Sequence, residues 1–276
     1  MAFKCIWETS SIGSHLLEGP VLSPDGRHVW FTDLYLGQIY KFEIGEATVN
    51  PTPVVSFAPF RCNGLQFLPS GKLAICVWKG LLIPRKGAIL EFDTASSQTT
   101  TRVSSLRAPN DLAVDEFGGV YFSDLKKDRV YYHAPTATSP NAILDLDTPN
   151  GIELEFTLGK AMTLFVAESG CSRVHRYEIQ GPGNISERPT HTEQFEKDNA
   201  VDGLALNSKG HLLVAEETAV YALNAKNLAR LGAAPLKQMD APTPSNICFI
   251  DDQTFVVTSY ISFVGSKAEL FLGKIN

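Results

Sequence analysis

Long hydrophobic runs are missing from this chain. No window approaches the roughly 18 consecutive apolar residues that a membrane-crossing helix needs, so no membrane partner is expected. The first residues, MAFKCIWETSSIGSH, lack the apolar stretch of about seven or more that a signal peptide carries, and a cytoplasmic location is the expectation. Runs of Lys and Arg are missing too. With 24 basic and 30 acidic side chains the formal charge is -6, and no basic stretch recommends a nucleic-acid partner. The five cysteines (5, 62, 76, 171 and 248) are odd in number and form no CxxC pair. That argues against a zinc knuckle or a disulfide framework. Cys62, Cys76 and Cys248 lie in apolar strand patterns and read as buried, inert thiols. Helical periodicity is also absent, and without amphipathic helices between strands a TIM barrel is not available.

What is present is a series of short apolar or alternating runs: HVWFTD, KLAICVW, GVYFSD, TLFVAES, HLLVAEE and TFVVTSY. Each follows a turn or polar pair, in order PDGR, PSGK, EFGG, LGKA, NSKG and DDQ, which is the pattern of repeated hairpins. The runs belong to a repeat that starts at Glu18, Asn63, Asn110, Asn150, Asp202 and Asn246, with spacings of 45, 47, 40, 52 and 44 residues. A mean of about 46 lies in the range of propeller blades. Third strands follow in QIYKFEI, AILEFD, RVYYHAP, RVHRYEI, AVYALNA and AELFLGKI, and weaker outer strands near VVSFAP and TTTRVSS. The expected fold is an all-β, six-bladed β-propeller with four antiparallel strands per blade, a single domain over residues 1–276. The strand FKCIWE has no blade of its own and is expected to complete the last one. The polar stretch 181–199 reads as a long loop between blades four and five.

Equivalent positions of a radial repeat lie at equal distance from its axis. The six starting residues therefore converge on one end of a central channel, and all six carry a side-chain oxygen. Asn or Asp before Gly also makes turns by bonding to the backbone, but six at one phase ask for more than turn chemistry. Two carboxylates brought together repel unless a cation lies between them. Oxygen-only ligation points to a hard ion, and no histidine occupies the ring. His15, three residues before Glu18, is the histidine nearest the ring in sequence.

The segments LLEGPVLSPDGRHVWFTD, APNDLAVDEFGGVYFSD, TPNGIELEF followed by TLFVAES, VDGLALNSKGHLLVAE and PSNICFIDDQTFVVTS occur in order over residues 16–260. As an ordered set they resemble the SMP-30/gluconolactonase/luciferin-regenerating-enzyme-like family of the calcium-dependent phosphotriesterase superfamily. The resemblance implies a six-bladed propeller with one metal at the channel mouth, Ca²⁺ first, with Zn²⁺, Mn²⁺ or Mg²⁺ as alternatives. It implies Glu18, Asn150 and Asp202 as metal ligands, Asn110 near metal and substrate, and Asp202 as general base. It also implies lactonase activity. Sugar-lactonase members related to the animal protein carry an arginine two residues before the third-blade asparagine. Here Ala108 holds that position, and the adjacent Arg107 points the other way on an extended strand. Trp78, with Phe60, Tyr35 and Tyr260, is a channel-side candidate for a more apolar substrate.

The expected function is therefore metal-dependent hydrolysis of a small lactone or ester by a monomer or weak homodimer. The alternatives are other metal-propeller chemistry (phosphotriester hydrolysis, or an isomerase or hydratase step on a lactone-like metabolite) and a non-catalytic regulatory propeller with a structural metal.

Overall fold

The computed structural model describes all residues except 10–13, 46–48, 81–82, 237–241, 262–266 and 276. After β1 (Ala2–Glu8) the first sheet comprises β2 (Leu17–Leu22), β3 (His28–Asp33), β4 (Gln38–Glu43) and β5 (Thr52–Ser56). The second comprises β6 (Phe60–Phe67), β7 (Leu73–Lys79), β8 (Arg85–Phe92) and β9 (Thr99–Leu106). The third comprises β10 (Pro109–Val114), β11 (Val120–Asp124), β12 (Arg129–His133) and β13 (Asn141–Asp145). The fourth has five strands, β14 (Pro149–Thr157), β15 (Lys160–Glu168), β16 (Arg173–Gly181), β17 (Asn184–Ile185) and β18 (His191–Gln194). The fifth comprises β19 (Val201–Leu206), β20 (His211–Glu216), β21 (Ala219–Asn224) and β22 (Arg230–Ala234). In the sixth, β23 (Thr243–Phe249), β24 (Thr254–Tyr260) and β25 (Glu269–Lys274) are completed by β1, which runs antiparallel to β25 from Ala2↔Lys274 to Glu8↔Glu269. Six antiparallel sheets in chain order make this the six-bladed β-propeller that the repeat predicts. Among the described residues the helical content is one 3₁₀ turn, Ser169–Cys171.

Residues 181–199 differ from the expectation of a plain loop. They hold β17 and β18, and β18 pairs with β16 over Arg173–Arg176. An outermost strand covers little on either face. HTEQ therefore shows no apolar alternation to read.

The chain divides into two compact units, Met1–Asn63 with Asp202–Asn276, and Gly64–Val201. Each has its own apolar seams between neighbouring sheets. In the first unit Phe31, Leu17, Val256 and Leu270 share one cluster, and Phe255, Leu213, Val257 and Phe271 share another. In the second, Phe122, Ile89 and Val103 share one cluster, and Tyr121, Leu154, Leu164 and Val166 another. Each such side chain contributes roughly 1.5–3 kcal/mol on burial. A single sheet could not bury both its faces, so the apolar second strands require neighbours. The hairpins between first and second strands turn on Gly26, Gly71, Gly118, Gly159 and Gly210, whose φ values of +68 to +81° suit glycine.

Candidate metal centre

Glu18, Asn110, Asn150 and Asp202 are each the second residue of an innermost strand, whereas Asn63 and Asn246 are each the fourth. The sequence repeat placed all six at one phase, and the structure sorts them into four and two. At Glu18, Asn110 and Asn150 the inner strand carries one residue more than its partner: Glu18 to Val21 spans Thr32 to Trp30, Pro109 to Leu112 spans Asp124 to Phe122, and Pro149 to Ile152 spans Glu168 to Val166. Such bulges bend a strand and re-aim a side chain that alternation would otherwise place.

Hydroxyls fasten these positions to neighbouring sheets. Thr32 Oγ1 donates to the Asn63 carbonyl (3.2 Å), Ser123 Oγ to that of Asn150 (2.7 Å), and Ser245 Oγ to that of Leu17 (2.6 Å). Ser169 Oγ donates to the carbonyl of Val201. For Thr32, Ser123 and Ser169 the sequence held the signal, a Thr or Ser late in or just after the second strand in FTD, FSD and AES, whereas Ser245 lies in the first strand of its sheet.

In the first unit, Glu18 is buried and Asp202 half-buried. Both carboxylates act on the Tyr260 phenol. Burial pushes this phenol well above its ordinary range, and Asp202, Glu18 and the exposed Glu217 push it further the same way. It therefore stays protonated and able to donate. Asn246 is spent locally, because its Oδ1 accepts from Ile247 N–H at 2.8 Å. Asn63 Oδ1 is buried and has no hydrogen-bond partner.

In the second unit, Ser123 Oγ accepts from Asp111 N–H (3.1 Å) while donating to Asn150, which brings the backbones flanking Asn110 and Asn150 onto one hydroxyl. Asn150 Oδ1 is buried without a hydrogen-bond partner. A hard cation takes such an amide oxygen as a ligand, and an unsatisfied buried carbonyl is costly otherwise. The donor set thus fits the expected ion at Asn150. The close approach here depends on Gly64, where a Cβ would stand 2.5 Å from Asp111 Oδ1 and 2.8 Å from the Asn110 carbonyl oxygen. Among the described residues no three His, Cys, Asp or Glu side chains form a metal-holding group. The expected set is two carboxylates and amide oxygens.

A carboxylate at the end of the second strand recurs in Asp33, Asp124 and Glu168. Asp124 accepts from Arg107 N–H and Ala108 N–H (both 2.8 Å), and Glu168 Oε1 from Asp147 N–H (2.9 Å). Each grips the segment leading into the inner strand of its own sheet. The Arg107 guanidinium lies outward, with Nη1 3.4 Å from the Lys126 carbonyl, and Ala108 is buried. Asp33 likewise holds the backbone of Leu16 and in addition the imidazole of His15, Nδ1 to Oδ2 at 2.6 Å, and His15 Nε2 is buried without a hydrogen-bond partner. Burial pushes the Asp33 carboxyl above its usual range, while the His15 hydrogen bond works the other way.

Trp78 is buried near the end of β7. Phe60 is half-buried and Tyr35 buried. Sequence reading missed Arg61, two residues before Asn63. Its guanidinium lies 5.7 Å from the Tyr35 ring, and its Nη1 donates to the Tyr35 carbonyl. Nothing in FRCNG marks it apart from a charge within a strand.

The family description "SMP-30/Gluconolactonase/LRE-like region" matches residues 16–261. The chain belongs to this family. A pentonolactonase of Haloferax volcanii is 24% identical over 200 residues, covering 71% of this chain. The match spans 64% of that protein's length. Among solved structures, a gluconolactonase from Xanthomonas campestris superposes with a TM-score of 0.75 at 21% identity, covering 99% of this chain and 89% of that one. A calcium-binding regucalcin from Agrobacterium tumefaciens gives 0.72 at 17%, covering 99% and 95%. A luciferin-regenerating enzyme gives 0.71 at 16%, with the same coverage. At these identities the structures establish the shared SMP-30/gluconolactonase-like fold. Membership carries a family-level resemblance to gluconolactonase-like hydrolases. No helix among the described residues is long and apolar enough to cross a membrane.

Proposed function

We propose that this protein is a metal-dependent hydrolase that opens a small lactone or ester. The observation that carries the reading is the buried Oδ1 of Asn150, which has no hydrogen-bond partner and is of the kind a hard cation takes; Glu18 and Asp202, whose charges both raise the buried Tyr260 phenol, supply the carboxylates such an ion needs. The ligand set is the one the family implies, Glu18, Asp202 and Asn150, and the unpartnered Oδ1 of Asn150 supports it. The ion is Ca²⁺ first, by the hardness of these oxygens, with Zn²⁺, Mn²⁺ or Mg²⁺ as alternatives. When bound, it supplies Lewis-acid polarisation of the carbonyl.

Asp202 takes the proton from the attacking water, since asparagine amides cannot. The protonated Tyr260 phenol donates toward developing negative charge, as an oxyanion donor does. Asn110 orients the substrate, and Trp78 offers it an apolar contact. With Ala108 buried and the Arg107 guanidinium directed outward, the third blade gives no cation to a polyhydroxy substrate, so the substrate is an apolar lactone or ester. The same reading takes residues 1–276 as one domain, a cytoplasmic monomer or weak homodimer.

The test pairs elemental analysis with turnover of a lactone panel. About one metal equivalent is expected, with activity lost on chelation and restored by the ion. The Glu18→Gln/Asp202→Asn double variant should lose both. Full metal content in that variant removes the ligand assignment. Full metal with no turnover of any lactone or ester in the parent protein points to a structural metal.

A further inference from the structure

The hairpins that join first and second strands are equivalent points of the repeat, so their tips can be compared. In blades one, two, five and six the tips read PDGR, PSGK, NSKG and DDQT, and none offers a large apolar side chain, as solvent-facing turns ask. Blades three and four depart from this with EFGG and TLGK. Phe117 is 63% exposed and Leu158 98%. Leu158 is also strained. Thr157 pairs with Lys160, which leaves Leu158 and Gly159 as a two-residue loop with φ of +51° and +76°. A turn with both φ values positive suits Asn-Gly, and a leucine there meets a steric penalty as well as exposing an apolar side chain.

Both tips belong to one surface. Glu116 Oε2 accepts from Ala161 N–H (3.0 Å), which ties the third-blade tip to the start of β15. On β14 the alternation that buries Ile152 and Leu154 in the seam between these two sheets runs on to Phe156, 47% exposed. Met162, 45% exposed, is the extra residue of the bulge opposite it. Together the four side chains leave on the order of 400 Å² of apolar surface open, a size at which a patch marks an interaction site. Beside them lies a cavity of about 300 Å³, lined by Phe117, Met162, Ile179 and Pro182, with Lys160 and Glu116 as charged members. Neither charge has an ion-pair partner among the described residues. The third-blade turn is already ordered, because Asp115 accepts from Phe117 N–H (2.9 Å), Gly119 N–H (2.7 Å) and the Tyr132 hydroxyl (2.8 Å). Little entropy remains to be lost there on binding.

A contact about a two-fold axis needs both halves of every pair on one surface. This surface has them: a protruding leucine and a cavity that takes one leucine side chain, a basic residue and an acidic one. A lipid surface would favour a basic ring around the apolar tip, which this patch does not have. We infer that the surface docks a second copy of the chain, each Leu158 seated in the other's cavity and each Lys160 facing the other's Glu116. The contact covers about 1,000 Å² or less over the two copies, which makes the dimer weak. Along β14, Leu158 lies about 25 Å from Asn150, so the proposed ligand at the other end of the strand is left uncovered. The inference takes the dimer of the two assemblies named above and is independent of the hydrolase reading.

Sedimentation velocity over a concentration series tests it. The parent should dimerise with a midpoint on the order of 10–100 μM, as suits a contact of this size. Leu158→Asn should weaken association at least about tenfold, the effect of losing a central anchor. The melting temperature of the dilute variant should hold or rise, since Asn-Gly is the preferred pair for this turn. Leu231→Asn, at an exposed leucine outside the surface, should associate as the parent does. Charge reversal tests the two-fold pairing. Lys160→Glu and Glu116→Lys should each stay monomeric alone, because like charges then meet at both ends of the contact, while an equimolar mixture of the two should associate as the parent does. A parent that is monomeric up to about 1 mM, far above the range of even weak specific contacts, overturns the inference. So does a Leu158→Asn protein that dimerises like the parent, or a mixture that stays monomeric. A monomeric parent that floats with phosphatidylcholine vesicles through Leu158 also overturns it and assigns the tip to a lipid surface. None of these outcomes bears on the hydrolase reading, which lactone turnover decides.

Discussion

Blades one and four each bury a histidine against the carboxylate that ends the second strand. In blade four, Glu168 holds Asp147 N–H with one oxygen and His175 with the other, and His175 reaches on to Thr192 in β18. The histidine there joins three segments of one blade, and every polar atom of the imidazole is used. In blade one, Asp33 binds His15 and accepts Leu36 N–H at 3.3 Å, and the far side of the imidazole reaches no protein partner. One arrangement closes a network, while the other ends in an open nitrogen. Closed networks rigidify, whereas open buried nitrogens cost stability and are kept where chemistry needs them.

The sharpest way to break this contrast is His175→Ala. It strips Glu168 and Thr192 of a buried partner and should cost about 3 kcal/mol in denaturant unfolding, with kcat of the folded protein unchanged. A large loss of rate at normal stability would erase the difference between the two histidines. Next in size, Gly203→Ala should cost about 2–3 kcal/mol, because the new Cβ would stand 2.2 Å from Asn246 Oδ1 and 2.5 Å from its Cα. It tests whether Asn246 serves packing and not ligation: metal content should hold while the unfolding midpoint falls.

A third buried imidazole extends the comparison to pH. His133 is held below its ordinary 6.5 by burial first and by the Arg102 guanidinium second, with Arg102 Nε 3.3 Å from its Nδ1. The folded protein resists the proton that the unfolded chain accepts. Stability should therefore be full above about pH 6.5 and decline as pH falls through the lowered folded value. His133→Gln should flatten that decline in a melting-temperature series. The smallest effect belongs to the exposed pair Arg129–Asp145, 2.8 Å apart. Arg129→Ala should leave the unfolding midpoint at the parent's value within measurement error, since solvent screens such pairs.

What the sequence revealed depended on how much each residue buries. Second strands such as GVYFSD and TFVVTSY pack both faces and announce themselves as apolar runs. From them came the blade number, the period and the pairing of FKCIWE with the chain's last strand. β18 was invisible because HTEQ buries almost nothing. The phase of the ring was legible, but its division was not. Asn246 and Asn110 look alike in a one-dimensional repeat, but Asn110 lies inside its bulge, between Pro109 and Leu112, whereas Asn246 closes its own, between Pro244 and Asn246. The His15–Asp33 contact joins residues 18 apart through a hairpin, and no spacing rule announces a side-chain partner of that kind.

The pairing of β1 with β25 has a consequence during synthesis. The segment that completes the sixth sheet leaves the ribosome long before its partner, residues 269–274. Until that partner emerges, Ala2–Glu8 is a strand without the neighbour it has in the folded sheet. The neighbouring blades can gather while it waits, since each joins strands close in sequence. A nascent chain of this design carries an open edge until then, available to a chaperone or to a second chain on the same message. Trp7 and Ile6 become core residues only at the finish.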